Sequence, residues 1–410
     1  MRTLHSLLNG FRQLWAHKVR SGLTILGVVL GVAATVSVVG LIQGMYTTAM
    51  AVFQEVGAIR MIWTWRMPPP QKQAYLTGRS RGFTMTDALA IRRLCDMAAY
   101  VCPRYRMGAT FSRKGRSCQD RVEGVIRDNL AVNVHEVTRG RFVCDLDVDQ
   151  AAPVAVLGSE VAKRLFGPGE DALNQSIAIN GYQFTVVGLL KNYYVKRGER
   201  NAVEWKNHVV LIPLSALQKR LRGESDLAGI QVQVADANYI EQVVGQVSNT
   251  LWQTHNGVQD YGIGSSEKWR EEIAHVAQSY QFTLGGNVII SLLVAGVGIM
   301  NVMLASLHER IREIGLRKAM GARNWDLFVQ FLGEAVILAT LGGVAGILLG
   351  AWAVSLLRSA SFVTGTGQPV FSVAAVTISL ACSALVGIGA GLYPAVRAAR
   401  LDPIEALRYE

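Results

Sequence analysis

Four apolar runs, each long enough to cross a lipid bilayer as a helix, constrain this chain more than any other feature. The first, Gly22 to Gly44, reads GLTILGVVLGVAATVSVVGLIQG and holds no charged residue. At ~1.5 Å per residue it reaches roughly 34 Å, more than the about 30 Å of hydrocarbon in a bilayer. The second run covers 283–307, the third 327–357 with one acid, Glu334, and the fourth 370–396. The first run exceeds the ~7–15-residue core of a signal peptide, so it reads as a retained anchor. With 50% hydrophobic and 17% charged residues, the chain is too apolar for an ordinary soluble protein. The expected fold is an α-helical membrane protein with four transmembrane helices. A large extracytoplasmic α/β domain of two lobes is inserted between helices 1 and 2.

The net charge of +11 is not spread evenly. Arg2, Arg12, Lys18 and Arg20 precede the first run. Arg310, Arg312, Arg317, Lys318 and Arg323 fill the 308–326 connector, and Arg397, Arg400 and Arg408 follow the fourth run. The short connector 358–369 carries only Arg358. Basic flanks stay on the cytoplasmic side, so both termini and the 308–326 connector are expected inside and residues 46–282 outside. This distribution follows a membrane and gives no reason to invoke nucleic acid.

Leu4, Leu7, Leu8, Phe11, Leu14 and Trp15 lie on one helical face, which predicts an amphipathic helix in the inner interface within residues 1–20. Spans are expected at 21–45, 283–307, 327–357 and 370–396, with a cytoplasmic tail at 397–410. The outer insert alternates strand-like and helix-like patterns, and Asn180-Gly181 between alternating segments signals a hairpin. A β-rich lobe at about 111–225 is expected inside an α/β lobe made from both flanks. Trp269, Ile273, Val276 and Tyr280 form a helical stripe before the second span, with Ser266 as the expected cap and Glu267 in the first turn. That stripe reads either as a helical stalk or as part of the outer core.

Cys95, Cys102, Cys118 and Cys144 all fall in the outer insert, where an oxidising compartment permits disulfides in any of three pairings. The chain has no Gly-Lys pair, so no phosphate-binding loop of the GxxxxGK type can form, and no HExxH or GxSxG motif is present. No catalytic residue, metal ligand or cofactor site is expected in this chain. Small residues four apart, at Gly27 and Gly31, at Gly342, Gly346 and Gly350, and at Gly387 and Gly391, favour close helix packing in lipid. Glu334 is an acid within the third run, most simply an ion-pair partner of Arg397 or Arg323.

The connector HERIREIGLRKAMGARNWD, residues 308–326, carries an apolar stripe and two glycines that a plain charged loop would not need. Ile311 and Ile314 continue the spacing of Leu307, Gly315 is expected to stop that helix, and Asn324 to cap the third span. The result is a compact elbow, charged on one side and apolar on the other.

ERIREIGLRKAMGAR in this elbow, FLGEAVIL in the third run and LYPAVRAARLDPIEALRYE at the end resemble the MacB-type permeases of ABC transporters, in the broader FtsX-like superfamily. LWAHKVRSGLTILGVVLGVAATVSVV near the start and VAVLGSEVAKRLFG with GYQFTVVGLLK in the insert are similar to the same permeases. The resemblance implies four membrane helices, a periplasmic domain, a homo- or heterodimer in the bacterial inner membrane, and two copies of a cytoplasmic ABC ATPase. ATP and magnesium would belong to that ATPase, expected as a separate polypeptide. Closure of the ATPases would move the outer domains, a mechanotransmission that drives efflux or export. Glu309, Arg310, Glu313, Gly315, Arg317, Lys318, Gly321 and Ala322 would then form the ATPase-coupling region. A periplasmic adaptor and an outer-membrane factor are further expected partners. The same architecture would also suit lipoprotein release or FtsX-like signalling to cell-wall hydrolases.

Overall fold

The computed structural model describes residues 18–167, 170–197, 200–359 and 370–408. The expected interfacial helix over residues 4–15 and most of the connector 358–369 lie outside the described residues. The chain divides into a membrane unit, Met1–Thr47 with His275–Glu410, and an outer unit, Thr48–Ala274.

Among the described residues, four helices are long and apolar enough to cross a membrane. They are α1 (Lys18–Glu55), α5 (Ser266–Glu309), α7 (Asn324–Ser359) and α8 (Val373–Ala399). Helices answer the demand of lipid that every backbone polar group be satisfied internally. α1 packs on α7 through Gly342, Gly346 and Gly350. A Cβ at these positions would stand 3.0 Å from Val28 Cγ1, 2.7 Å from the Val29 carbonyl oxygen and 2.9 Å from Val36 Cβ. Their hydrogens let the two backbones approach as no larger residue would. Gly387 and Gly391 do the same for α8 against Ala339 and Ala335 of α7. Val32, Leu292, Ile299, Met303 and Phe331 fill the core between the helices. The far side of α5, with Ile289, Ile290, Leu293, Val294 and Val297, is exposed and apolar, as a lipid-facing surface must be.

Two helices are longer than a bilayer requires. α1 has 38 residues and α5 has 44, which at ~1.5 Å per residue is roughly 57 and 66 Å. The cap of α5 differs from expectation. Ser265 Oγ accepts from the Lys268 N–H at 3.3 Å, so Ser265 caps the helix, while the Ser266 hydroxyl donates to the Ile59 carbonyl at 2.9 Å.

Among the described residues, the main sheet of the outer unit has ten strands: β1 (Met61–Arg66), β2 (Ala98–Arg113), β3 (Arg116–Val125), β4 (Val137–Gly140), β5 (Val154–Leu157), β6 (Ser176–Ile179), β7 (Tyr182–Leu190), β8 (Val209–Pro213), β9 (Gly229–Val234) and β10 (Tyr261–Ser265). Their order is β10-β1-β9-β2-β3-β8-β5-β7-β4, with β6 paired to β2 and β7. The long strand β2 changes partner midway. Ala98–Arg104 pairs with β9 and Tyr105–Arg113 with β3. A flanking lobe from both ends of the insert is thereby joined to a central lobe of β3 to β8. Glu123, 5% exposed, sits at the crossing, where Arg106 Nη2 reaches its carboxylate at 2.9 Å.

Turn chemistry sets the hairpins. Lys114 and Gly115 both take positive φ, 45° and 80°, and so do Asn180 and Gly181, at 48° and 89°. Two such residues in succession match the right-handed strand twist. On the flanking lobe, α2 (Met85–Leu94) and α4 (Ile240–Thr254) bury Ile91, Val243, Val247 and Leu251 against Ile62, Val101 and Val232. In the central lobe, α3 (Ser159–Leu165) covers Phe111, Leu157, Phe184 and Val210.

The disulfide expectation is corrected: Cys95, Cys102, Cys118 and Cys144 are all free. Each packs in a different setting. Cys95 lies in the flanking core, Cys102 is buried beside Met61 and Val132, Cys118 faces Phe111 across the β2–β3 ladder, and Cys144 caps the short helix Asp145–Asp149. Burial pushes the Cys102 thiol up to about 12, so it behaves as a small apolar side chain.

Candidate functional site

The elbow between α5 and α7 is a short helix, α6 (Ile311–Ala319), packed on the terminal helix α9 (Pro403–Arg408). α5 ends at Glu309 and Arg310 makes the break, so α5 does not run on through Ile311 and Ile314. Both isoleucines turn inward, into the cluster that holds Leu307, Leu327 and Phe331 or beside it.

The two glycines have distinct roles, and the expectation for Gly315 is corrected. Gly315 lies inside α6, where a Cβ would come within 2.7 Å of Ala406 Cβ. It is a site of close approach between α6 and α9. Gly321, at φ +96°, ends the helix. Its N–H donates to the Lys318 carbonyl at 3.0 Å and the Ala322 N–H to the Arg317 carbonyl at 3.1 Å. This pair of bonds is the Schellman arrangement, which a left-handed glycine allows at little cost. At the start of α7, Asn324 is the first helical residue rather than the cap, and the Arg323 N–H donates to Asp326 Oδ2 at 3.3 Å.

Lys318 Nζ donates to the carbonyls of Ala399 at 2.6 Å and Leu401 at 2.8 Å. It thereby caps the C-terminus of α8, where unsatisfied carbonyls and the helix dipole favour a cation. A polar chain crosses from α6 to α7. Arg317 Nη1 donates to Gln330 Oε1 at 3.2 Å, Gln330 Nε2 donates to Glu334 Oε1 at 3.3 Å, and Arg310 Nη1 lies 3.6 Å from the same Glu334 oxygen. The ion-pair partner of Glu334 is therefore Arg310, not Arg397 or Arg323. The break after α5 points Arg310 toward α7, a turn the helical spacing did not reveal.

The eight coupling candidates thus separate. Arg310, Gly315 and Lys318 face inward and hold the elbow in shape. Glu309, Glu313, Arg317 and Gly321 are exposed, and Ala322 is half-buried. Four apolar side chains that the sequence reading passed over are also exposed: Leu316, Met320, Trp325 and Ile404. Met320 and Ile404 are 73% and 72% exposed. Their signal was present as hydrophobic residues among the charges of α6 and its end, the start of α7 and α9. The elbow is a braced knob with apolar tips among charges.

The outer unit holds a compact titratable group around His255. His255, 2% exposed, has Nδ1 against Asp260 Oδ1 and 3.2 Å from the Ser80 hydroxyl, with Asp87 Oδ2 3.7 Å from Nε2. Burial opposes charge on His255, but the hydrogen bonds that the charged ring donates to Asp87 and Asp260 outweigh it and raise its pKa. Burial likewise opposes charge on Asp87, and His255, Thr254 and Thr84 outweigh it, bringing Asp87 to about 2. The cluster pins the first turn of α2 and the segment before it to the loop between α4 and β10. Among the described residues no group of three or more His, Cys, Asp or Glu is placed to hold a metal.

Residues 21–250 match the MacB-like periplasmic core domain, and residues 287–403 match the FtsX-like permease C-terminal domain. The macrolide export ATP-binding/permease protein MacB of Rhodospirillum rubrum is 34% identical over 400 residues, covering 97% of this chain and 59% of that protein. The pyoverdine export ATP-binding/permease protein PvdT of Pseudomonas syringae pv. tomato is 32% identical over 408 residues, covering 99% of this chain and 60% of that protein. The chain thus spans about three fifths of these relatives' length. Of solved structures, the periplasmic region of MacB from Actinobacillus actinomycetemcomitans aligns with 54% of this chain and 95% of that one, at 17% identity and a TM-score of 0.45. With one domain match spanning the first membrane helix and the outer insert, and the other the remaining membrane helices and elbow, the chain belongs to the MacB-like permeases of the FtsX-like superfamily.

Proposed function

We propose that this chain is the permease part of an ABC exporter and acts by passing force from an ABC ATPase to its outer unit. The observation that carries the reading is the elbow itself. Leu316, Met320, Trp325 and Ile404 project from a knob whose inward residues, Gly315, Lys318 and Arg310, lock it to α7, α8 and α9. An exposed apolar cluster rimmed by charge suits a protein partner. A rigid support lets a push on that cluster be carried and not absorbed.

In this reading the termini and elbow are cytoplasmic and the outer unit is periplasmic. Nucleotide and magnesium bind the ATPase, and the permease contributes no catalytic group. The ATPase moves the permease only as far as its contacts favour one state of the elbow over another. Two permease chains with two ATPase domains, and a cargo exported across the cell envelope, complete the proposal. The names of the relatives, macrolide and pyoverdine exporters, make small-molecule efflux the first cargo class to test.

A photoreactive amino acid at position 320 tests the contact. The expected result is a crosslink to the ABC ATPase that weakens when Leu316 is replaced by Asp. A crosslink only to lipid, or labelling of position 320 from the exterior of intact cells, contradicts the reading.

A further inference from the structure

Lys206 is 1% exposed in the outer unit, and its ammonium makes no ion pair among the described residues. It donates instead to two backbone carbonyls, Glu55 at 2.7 Å and Val134 at 2.9 Å, and lies 3.9 Å from the centre of the Tyr193 ring. Glu55 is the last residue of α1. Lys206 therefore caps the outer end of that helix, where free carbonyls and the dipole attract a cation. Burying a charge without a carboxylate is costly, a cost that packing gives no reason to bear.

The surroundings show what the cap fastens. Just beyond it Gly57 takes φ +69°, and a Cβ there would fall 2.3 Å from the Val132 carbonyl oxygen. Val52 of α1 and Val56 just after it pack on the cluster containing Phe142, Val203 and Val209. Lys206 itself is held rigidly. Its neighbour Asn207 accepts from the Tyr193 N–H and donates to the Tyr193 carbonyl, both at 2.8 Å. Two residues beyond, the chain enters β8, which lies between β3 and β5 in the central lobe. α1 is also joined through the chain to β1, in the flanking lobe. The lysine adds a second attachment, to the other lobe, which chain connectivity does not supply.

We propose that Lys206 is the positioning residue that fastens the outer end of α1 to the β8 side of the central lobe, so that displacement of α1 reaches that lobe directly. The inference rests on the mechanical reading above. Its charge is set among Glu55 on α1, His135 and Glu136 in the loop before β4, and Lys191 and Tyr193 after β7. The hydrogen bond to the Glu55 carbonyl and the charge of the Glu55 side chain tie it to α1.

The test is hydrogen exchange of the full chain in lipid nanodiscs, comparing wild type, Lys206→Met and Leu211→Ala. Methionine keeps the length of the side chain and removes its donors. Leu211→Ala weakens the same core without touching the cap. Without nucleotide, Lys206→Met is expected to speed exchange at residues 53–57 and 134–136 about tenfold or more, with β3 and β8 keeping wild-type protection. Leu211→Ala is expected to show the reverse pattern. Unchanged exchange at 53–57, or an equal rise across the whole outer unit, overturns the fastening role. With the ABC ATPase bound and trapped by ADP and vanadate, wild type is expected to change exchange at both the elbow and β8. Lys206→Met is expected to respond at the elbow alone. A β8 response persisting in Lys206→Met also overturns the proposal. If the wild-type elbow does not respond, the mechanical reading fails instead, and the nucleotide-free comparison still decides the role of Lys206.

Discussion

Two histidines of the outer unit, the buried His255 and the half-buried His135, have opposite electrostatic consequences. His135 is pushed down from 6.5 to about 3, first by burial and then by the nearby Lys206 charge. It is neutral in the folded chain, with its ring stacked 6.0 Å from Phe142. An unfolded chain takes up the proton near pH 6.5, so folding loses stability as pH falls from there toward about 3. His255 is raised by Asp87 and Asp260. Its contribution is complete below pH 6.5 and is lost as pH rises through the raised value. Denaturant titrations of the outer unit in the full chain check both signs. His135→Leu is expected to flatten the acid slope, and His255→Gln to flatten the slope on the alkaline side of neutrality. Neither role was legible in sequence, where the seven histidines look scattered. Burial and charge neighbours come from residues far apart in the chain, such as Asp87 and His255.

At the scale of the element, the elbow is a docked pair of short helices. α6 has 9 residues and α9 has 6, too short to be stable alone, so each depends on the other and on α7 and α8. Their contact turns on Gly315 against Ala406. Gly315→Ala is expected to cost about 1–3 kcal/mol through overpacking. Adding Ala406→Gly should recover most of that loss, less about 1 kcal/mol of helix propensity. The measurement is a double-mutant cycle on thermal stability, paired with the rate of tryptic cleavage after Arg400. Additive losses would show that the two positions do not touch.

Much of this element was readable beforehand. The apolar stripe of Ile311 and Ile314, the glycines and the dense charge all marked an elbow. What each glycine does was not readable, because φ and the partner helix α9 decide it. The same holds for Glu334, whose presence within an apolar run was plain but whose partner, Arg310, depends on the break after Glu309. The membrane spans were the most legible part, since lipid imposes length and composition on every residue. The small-residue spacing at Gly342, Gly346 and Gly350 signalled close packing, and α1 proved to be the helix packed there. The outer sheet was legible only as hairpins and strand–helix repeats. The change of partner along β2 is a long-range pairing that local periodicity does not encode.

At the scale of the molecule, α1 and α5 each run unbroken from the membrane unit into the outer unit. A continuous helix carries displacement along its axis with little loss. α1 leads to β1 through the left-handed Gly57 and a short turn at Ala58–Arg60, α5 follows β10 directly, and β1 and β10 pair side by side through Ile62 and Ser265. Under the proposed function, ATP hydrolysis on one side of the membrane would appear as movement on the other. The direct measurement is the spin-label distance between Tyr182→Cys sites on the two outer units of a dimer. It is taken in a background without other reactive cysteines, with nucleotide absent and with ADP–vanadate trapped. The predicted result is a shifted distance on trapping that disappears when Met320 is replaced by Asp. Identical distance distributions in both states of the unaltered elbow would contradict the account.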